Sequence, residues 1–194
     1  QARHPALEIS VFVDWHRARR GLIGKRKSEG NAGMYREYAR RLGPGVAIYG
    51  VPVQNRELFG VLHLKGFVID DSVLYSGASL NDVYLACHGR YRLDRYHLFR
   101  DAKLADAMVG FVERQFVASP AVCRLNSGEA PTTKALQPAI RELRQSLCGF
   151  PLSEVFSWGH RPIKGLPGAS RRGAPEGIGF HRHTLRQCLG DRED

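Results

Sequence analysis

Apolar side chains recur with two different periods along the first 150 residues of the chain. Short runs of branched and aromatic residues predict β-strands at 7–14, 46–51, 61–70, 73–76 and 96–100, of which the first should be buried. Apolar positions three to four residues apart predict amphipathic helices at 34–42, 101–117 and 134–147. Strands that alternate with helices are typical of an α/β fold.

Turn signals separate these predicted elements. We interpret the polar stretch 17–33 as a loop, and the Gly-Pro-Gly sequence at 43–45 as the end of the first helix. Asp70 and Asp71 stand between two strand-like runs and predict a tight turn. The third and fourth strands should therefore run back beside each other as an antiparallel hairpin.

Both ends of the sequence differ from its centre. Gln1 stands where an initiator Met would be expected, and a strand-like run begins soon after it, so we expect a piece of a longer protein. Residues 151–194 contain seven Gly and four Pro and follow neither period. We therefore divide the chain into a folded unit at 1–150 and an irregular or disordered tail at 151–194. A flexible linker, a disordered basic tail and translation in the wrong reading frame all remain open for this tail.

The composition narrows the class of protein further. Among 194 residues, 29 Lys and Arg against 19 Asp and Glu give a net charge of +10, and 43% are apolar, enough for the core of one domain. No run approaches the roughly 18 consecutive apolar residues of a membrane-spanning helix. The four cysteines form no C-x-x-C pair, which argues against a zinc site or a disulfide framework and favours a reducing, cytoplasmic compartment.

Basic residues are concentrated directly after the first strand. Six cations occur within eleven residues without an acid between them: Arg17, Arg19, Arg20, Lys25, Arg26 and Lys27. They are either a solvated loop or a contact with an anionic membrane surface or nucleic acid, and the sequence allows both. The preceding Asp14, Trp15 and His16 also have two interpretations, a general base or a helix-capping Asp beside a packed Trp.

The third predicted strand carries the strongest chemical signal in the chain. His63 and Lys65 are two residues apart, so on an extended strand they share one face while Leu62 and Leu64 occupy the buried face. An imidazole and an ammonium at about 6 to 7 Å, two residues of strand rise, suit a phosphoryl group lying between them. Asp70 ends this strand, where it would anchor the turn or hold a partner side chain.

This segment is identified as the H-x-K-x(4)-D signature of the phospholipase D superfamily, matched at His63, Lys65 and Asp70 without an insertion. The G-S-x-N sequence that follows in the family is matched at Ser79 and Asn81, with one extra residue after the glycine. Bacterial phosphatidylserine synthases of the phospholipase D type are similar to this chain over four longer segments: 13–18, 49–52, 60–85 and 91–98.

The resemblance implies an α/β/α sandwich around a mixed sheet, as one half of a two-half enzyme. It implies transfer of a phosphatidyl group from CDP-diacylglycerol to L-serine, with release of CMP, a phosphohistidine intermediate and no cofactor or metal. We assign His63, Lys65 and Asp70 to catalysis, and Ser79 and Asn81 to substrate binding. Such a protein would be cytoplasmic and peripherally bound to the membrane.

Enzymes of this superfamily use two copies of the signature, and this sequence contains one. No Lys stands two residues after His97, His160, His181 or His183. The second copy is therefore expected either in a missing C-terminal part or on a second chain in a dimer, and the sheet should expose an apolar surface where that half belongs. Cardiolipin synthesis, phospholipase or nuclease activity, and an inert half-site fragment, are the alternatives.

Overall fold

Residues 6–20 and 30–149 of the chain are described by a computed structural model. The predicted tail at 151–194 lies outside this part, and so do three of the predicted membrane-contact residues, Lys25, Arg26 and Lys27. The domain boundary near residue 150 therefore stays a prediction.

Strands and helices alternate along the described residues, which confirms the α/β class. The strands are β1 (Ile9–Asp14), β2 (Val46–Val51), β3 (Gly66–Ile69), β4 (Ser72–Ser76), β5 (Tyr96–Arg100) and β6 (Cys123–Arg124). The helices are α1 (Trp15–Arg19), α2 (Ala32–Leu42), α3 (Ala102–Val112), which continues into a π-helical turn at Glu113–Val117, and α4 (Thr133–Gly149).

The first sheet is mixed, with strand order β1-β2-β6. β1 and β2 are parallel, starting with Ile9 opposite Val46, and β6 runs antiparallel to β2. Only two residues form β6, but the side chain of Asn126 continues its pairing. That amide accepts a hydrogen bond from the backbone N–H of Ile48 at 3.0 Å and donates to the carbonyl of Val46 at 2.9 Å.

The second sheet is antiparallel, with strand order β3-β4-β5. The predicted turn at Asp70 and Asp71 joins β3 to β4, and Asp70 has a φ of 50°, a left-handed conformation that Asp tolerates better than most residues. Gly66 begins β3 close to its neighbour, because a Cβ there would lie 2.6 Å from the carbonyl oxygen of Leu74. A side chain at this position would push the two strands apart.

The two faces of this second sheet have different surroundings. Residues that pair across strands share a face, so Phe67, Leu74 and Leu98 form one row across the sheet. Phe67 is 47% exposed and Leu98 is 69% exposed, whereas Val73, on the opposite face, is buried. An apolar surface of the kind that the sequence analysis expects is therefore present on the outer face, which we call the β3–β5 face.

The hydrophobic core lies between the first sheet and helices α1, α2 and α4. As predicted, α4 presents its four periodic side chains to this core: Leu136, Ile140, Leu143 and Leu147. Burying each such side chain stabilises the fold by about 1.5–3 kcal/mol. Trp15 is also fully buried, and its indole N–H donates to the hydroxyl of Thr133 at 3.0 Å, which joins α1 to the start of α4.

Three predictions need correction. The first strand is not buried as predicted, because Ile9 and Val11 of β1 are 38% and 39% exposed. The strand predicted at 61–70 is regular only from Gly66 to Ile69, and residues 61–65 lead into it without regular secondary structure. The loop predicted at 17–33 is wrong at both ends, because α1 extends from Trp15 to Arg19 and α2 begins at Ala32. The carboxylate of Asp14 caps the short helix α1. The cap stabilises a helical turn in a stretch whose basic composition predicts a loop.

Candidate active site

His63 and Lys65 lie in segment 61–65, immediately before β3. The predicted alternation of side chains is confirmed although the segment is not a strand: Leu62 and Leu64 pack against the core, while His63 is exposed. The backbone N–H of Ser76 reaches the carbonyl of Lys65 at 3.5 Å, so the hairpin pairing continues as far as this residue. The apolar residues thus hold the segment down and turn the imidazole outward.

The side chains of His63 and Lys65 are closer together than strand spacing predicts. The Lys65 ammonium lies 3.2 Å from Nδ1 of His63 and 3.3 Å from its carbonyl oxygen. The prediction of a gap of 6 to 7 Å is wrong for these end groups, because the flexible lysine stem folds back along the chain. A phosphate that entered the site would meet both groups at once, with the ammonium able to turn toward its oxygens.

The surroundings of His63 favour the neutral form of its imidazole. Although the side chain is exposed, desolvation by the neighbouring protein has the largest effect, and the Lys65 ammonium and the Arg17 guanidinium add to it, so that the pKa of His63 lies below its usual value. Only the neutral ring has a lone pair that can attack phosphorus. The electrostatics of the site therefore favour a nucleophile at neutral pH.

Asp70 does not share a site with His63. It lies in the turn at the far end of the β3–β4 hairpin, and its neighbour Asp71 accepts a hydrogen bond from the backbone N–H of Asp101 at 2.9 Å. The assignment of Asp70 to catalysis is therefore corrected to the other role expected for it, that of a turn residue. It supports the hairpin that carries Lys65 and does not contact the reacting groups.

Ser79 and Asn81 follow β4 at the end of the hairpin where His63 lies. Because Gly66 pairs with Tyr75, the chain leaves β4 at the same end of the hairpin where segment 61–65 enters β3. Ser79 is half-buried and Asn81 is exposed. The side-chain carbonyl oxygen of Asn81 accepts a hydrogen bond from the backbone N–H of Tyr84 at 3.2 Å, so Asn81 also stabilises the following turn. Their role in substrate binding stays a prediction.

Asp14 connects α1 to the segment that contains His63, a contact that the sequence analysis missed. One carboxylate oxygen accepts from the backbone N–H of Arg17 at 2.9 Å, and the other accepts from the backbone N–H of Leu62 at 2.8 Å. The residue is 7% exposed. Of its two sequence interpretations the structure favours the cap, and the cap has a second function, since it fixes the residue that precedes His63.

Two of the predicted membrane-contact cations are paired with an acid. Glu57 lies in a short 3-10 turn at Glu57–Phe59 and accepts from Nε of Arg17 at 3.3 Å. Arg20 binds the same carboxylate with Nε at 2.9 Å and Nη2 at 3.1 Å. Burial alone would raise the pKa of Glu57, but the two guanidinium groups lower it below its usual value. Arg19 lies elsewhere, 4.4 Å above the ring of Trp15.

Residues 6–20 and 30–149 contain no group of three or more His, Cys, Asp or Glu that could hold a metal ion. Within the same ranges, no helix combines the length and the apolar composition that crossing a membrane requires.

Comparison with known proteins gives relatives for most of the chain. No protein-family model matches it. The CDP-diacylglycerol–serine O-phosphatidyltransferase of Escherichia coli is 50% identical over 147 residues, which are 75% of this chain and 32% of the relative. The crystal structure of phosphatidylserine synthase from Haemophilus influenzae superimposes with a TM-score of 0.68 at 42% identity, covering 77% of this chain and 33% of that one.

A third relative is named for transfer to a different alcohol. The mitochondrial CDP-diacylglycerol–glycerol-3-phosphate 3-phosphatidyltransferase of Gallus gallus is 28% identical over 120 residues, 56% of this chain and 20% of the relative. The fold is thus similar to one part of a solved phosphatidyltransferase, the phosphatidylserine synthase of Haemophilus influenzae. More closely, the chain is homologous to the bacterial phosphatidylserine synthases, and it spans about a third of their length.

Removal of the Lys65 charge should raise the pKa of His63. In a Lys65→Met variant the neighbouring ammonium is gone, so the protonated imidazole becomes easier to form and the titration midpoint moves to higher pH. NMR titration of the His63 ring in the 194-residue chain measures this shift directly. Lys103→Met is the matched control, because this exposed lysine at the start of α3 is outside the site. An unchanged or lower midpoint in Lys65→Met would contradict the electrostatic argument.

Proposed function

We propose that this chain supplies the nucleophilic half of an enzyme that transfers the phosphatidyl group of CDP-diacylglycerol to L-serine and releases CMP. One observation carries the proposal. The outward-turned imidazole of His63, with a lowered pKa and an ammonium at 3.2 Å, lies in a chain that is 50% identical to a phosphatidylserine synthase over 147 residues. The whole reaction needs a larger assembly than this chain.

The proposed reaction has two displacements at the same phosphorus. A ring nitrogen of His63 attacks the phosphorus that bears diacylglycerol; an N–P bond forms, and the bond from phosphorus to the CMP oxygen breaks. The serine hydroxyl then attacks, its proton passes to a general base, and the N–P bond breaks to return neutral His63. The Lys65 ammonium stabilises the non-bridging oxygens in both steps.

The second acid–base group comes from outside this segment. We infer that another His-Lys-Asp set, either in the remainder of a longer protein or on a second copy of the chain, protonates the departing CMP and later accepts the serine proton. The relative from Escherichia coli is about three times as long as the matched part. The exposed β3–β5 face supports this inference, because monomeric proteins rarely leave such apolar surfaces uncovered.

The reaction takes place at a membrane surface in this proposal, since the donor carries two acyl chains. Arg19 and the three cations at Lys25, Arg26 and Lys27 are the residues that we assign to contact with anionic lipid. Each cation near such a surface contributes about 1 kcal/mol of attraction, so the contact would be peripheral and reversible. A cytoplasmic, peripherally bound enzyme agrees with the cysteine usage of the sequence.

A second candidate function keeps the donor and changes the acceptor. The relative from Gallus gallus is named for transfer to glycerol 3-phosphate, and its match includes 56% of this chain. His63 and Lys65 act on the phosphorus, and neither group selects the alcohol. Serine is preferred here because identity to the serine enzyme is 50%, against 28% for the other.

Release of CMP with different acceptors tests the proposal. Three samples are compared: the monomer of the 194-residue chain, its dimer, and the protein purified from its natural source. Each sample receives CDP-diacylglycerol in micelles together with serine, glycerol 3-phosphate or water. We expect serine-dependent release by the natural protein and none by the monomer. Release that prefers glycerol 3-phosphate would favour the second candidate, and release by a strict monomer would overturn the need for a second half. A natural protein that releases no CMP would support an inert fragment.

A further inference from the structure

The start of α1 lies beside the segment that contains His63. The two oxygens of one carboxylate, that of Asp14, accept from the backbone N–H groups of Arg17 and Leu62 at 2.9 and 2.8 Å. Both backbones are therefore within a few ångströms of a single buried side chain. Since Leu62 directly precedes His63, the Arg17 side chain begins next to the nucleophile, although 46 positions separate the two residues in the sequence.

The guanidinium groups of Arg17 and Arg20 converge on one carboxylate. Arg17 and Arg20 both bind Glu57, and Arg20 does so through two parallel N–H groups. The Arg17 side chain is 54% exposed, and within the described part of the chain its two terminal amino groups make no hydrogen bond. Two guanidinium groups against one carboxylate leave the cluster with one net positive charge, and the Arg17 charge lowers the pKa of His63.

We propose that Arg17 and Arg20 form a second anion subsite, which binds the nucleotide phosphate of a diphosphate donor while its other phosphorus lies at His63 and Lys65. The inference rests on the proposed function, in which a CDP ester is the donor. A guanidinium fork matches phosphate oxygens in geometry and charge, and the carboxylate of Glu57 occupies the same donors when no phosphate is bound.

Such a subsite would accelerate the first displacement and would also hold the substrate. As the bond from phosphorus to the CMP oxygen breaks, negative charge accumulates on the departing phosphate. A cation beside that phosphate interacts more strongly in the transition state than in the ground state, which is the condition for a rate effect. In this arrangement the Lys65 ammonium binds the oxygens of the phosphorus that is attacked. The second phosphate of a diphosphate therefore needs another cationic group.

The neighbouring Arg19 has a different environment, which separates it from this subsite. Its guanidinium lies over the ring of Trp15 and donates to the carbonyl of Pro131 at 3.0 Å. The basic stretch that the sequence presents as one cluster is therefore divided by α1. Arg17 and Arg20 belong to the site, and the membrane assignment made for them from the sequence is replaced by this proposal.

Binding of two probes to the 194-residue chain tests the subsite. CDP contains the diphosphate, and glycerol 3-phosphate has a single phosphate for His63 and Lys65. We expect Arg17→Gln and Arg20→Gln each to weaken CDP binding about ten-fold, the scale of one charge-assisted hydrogen bond, and to change glycerol 3-phosphate binding less than about two-fold. Arg41→Gln is the matched control, because this exposed arginine on α2 also pairs with a glutamate, Glu37, at 3.5 Å.

Several results would overturn the inference. CDP that binds the arginine variants as tightly as the unchanged chain would exclude the subsite, and so would a chain that does not bind CDP. Variants that lose only binding to anionic vesicles would return Arg17 and Arg20 to a membrane surface. If serine-dependent CMP release fails while CDP binding still depends on Arg17, the serine assignment is wrong and the subsite stands. If the release occurs while CDP binding does not depend on Arg17, the subsite is excluded and the serine assignment stands.

Discussion

Replacement of His63 by alanine should reduce phosphatidyl transfer by about four orders of magnitude or more in an enzyme with both halves present, because the covalent step loses its nucleophile. The measurement is exchange of labelled CMP into CDP-diacylglycerol, which reports the first displacement without the acceptor. Lys65→Ala should also be severe. Lys65→Arg should recover only part of the rate, because the planar guanidinium is larger than the ammonium it replaces.

A matched histidine distinguishes loss of chemistry from loss of structure. His97 lies in β5, which β4 separates from β3, and its ring stacks on Phe99 with centroids 6.2 Å apart. His97→Gln should keep CMP exchange within a few-fold of the unchanged enzyme. If His63→Ala exchanged CMP at the original rate, His63 would not be the nucleophile, whatever the result for His97.

Replacement of Asp14 by alanine should destabilise the chain by about 3 kcal/mol and also disturb the site. About 1 kcal/mol comes from the lost helix cap, and the remainder from the backbone N–H of Leu62, which is left without its acceptor. Urea unfolding gives the stability. The NMR chemical shifts of the His63 ring, recorded under native conditions, report whether segment 61–65 has moved.

Asp101 provides the comparison for this second prediction. It caps α3 with the same chemistry, accepting from the backbone N–H groups of Lys103 and Leu104 at 2.9 and 3.2 Å, but it has no bond to segment 61–65. Asp101→Ala should therefore cost about 1 kcal/mol and leave the His63 signal unchanged. Equal losses of stability in the two variants, with His63 unmoved in both, would show that Asp14 is a cap and nothing more.

Local sequence patterns predicted those elements whose reason is local. β2 and the hairpin of β3 and β4 follow from short branched runs and the Asp70–Asp71 turn, and the buried face of α4 follows from its period. His63 and Lys65 can be identified from the sequence because their relation is local: they are two residues apart. The same information gave the outward direction of His63, since it depends on the apolar residues on either side.

Contacts between distant residues could not be predicted in this way. Asp14 and Leu62 are 48 residues apart, and the Arg20–Glu57 pair spans 37, so no periodicity links them. The basic stretch after β1 was therefore treated as one group, although Glu57 neutralises part of it. β6 was missed for a related reason: two residues give no pattern, and its pairing depends on the Asn126 side chain.

The bond from Trp15 to Thr133 has a consequence for synthesis of the protein on the ribosome. It links residues 118 positions apart, and α1, which carries one end of it, also begins at the carboxylate that holds Leu62. A nascent chain that stops before Thr133 has already produced the imidazole and both guanidinium groups, but α1 then lacks its anchor on α4. The reactive segment is thus made early and fixed late, after nearly the whole of the described chain has been translated.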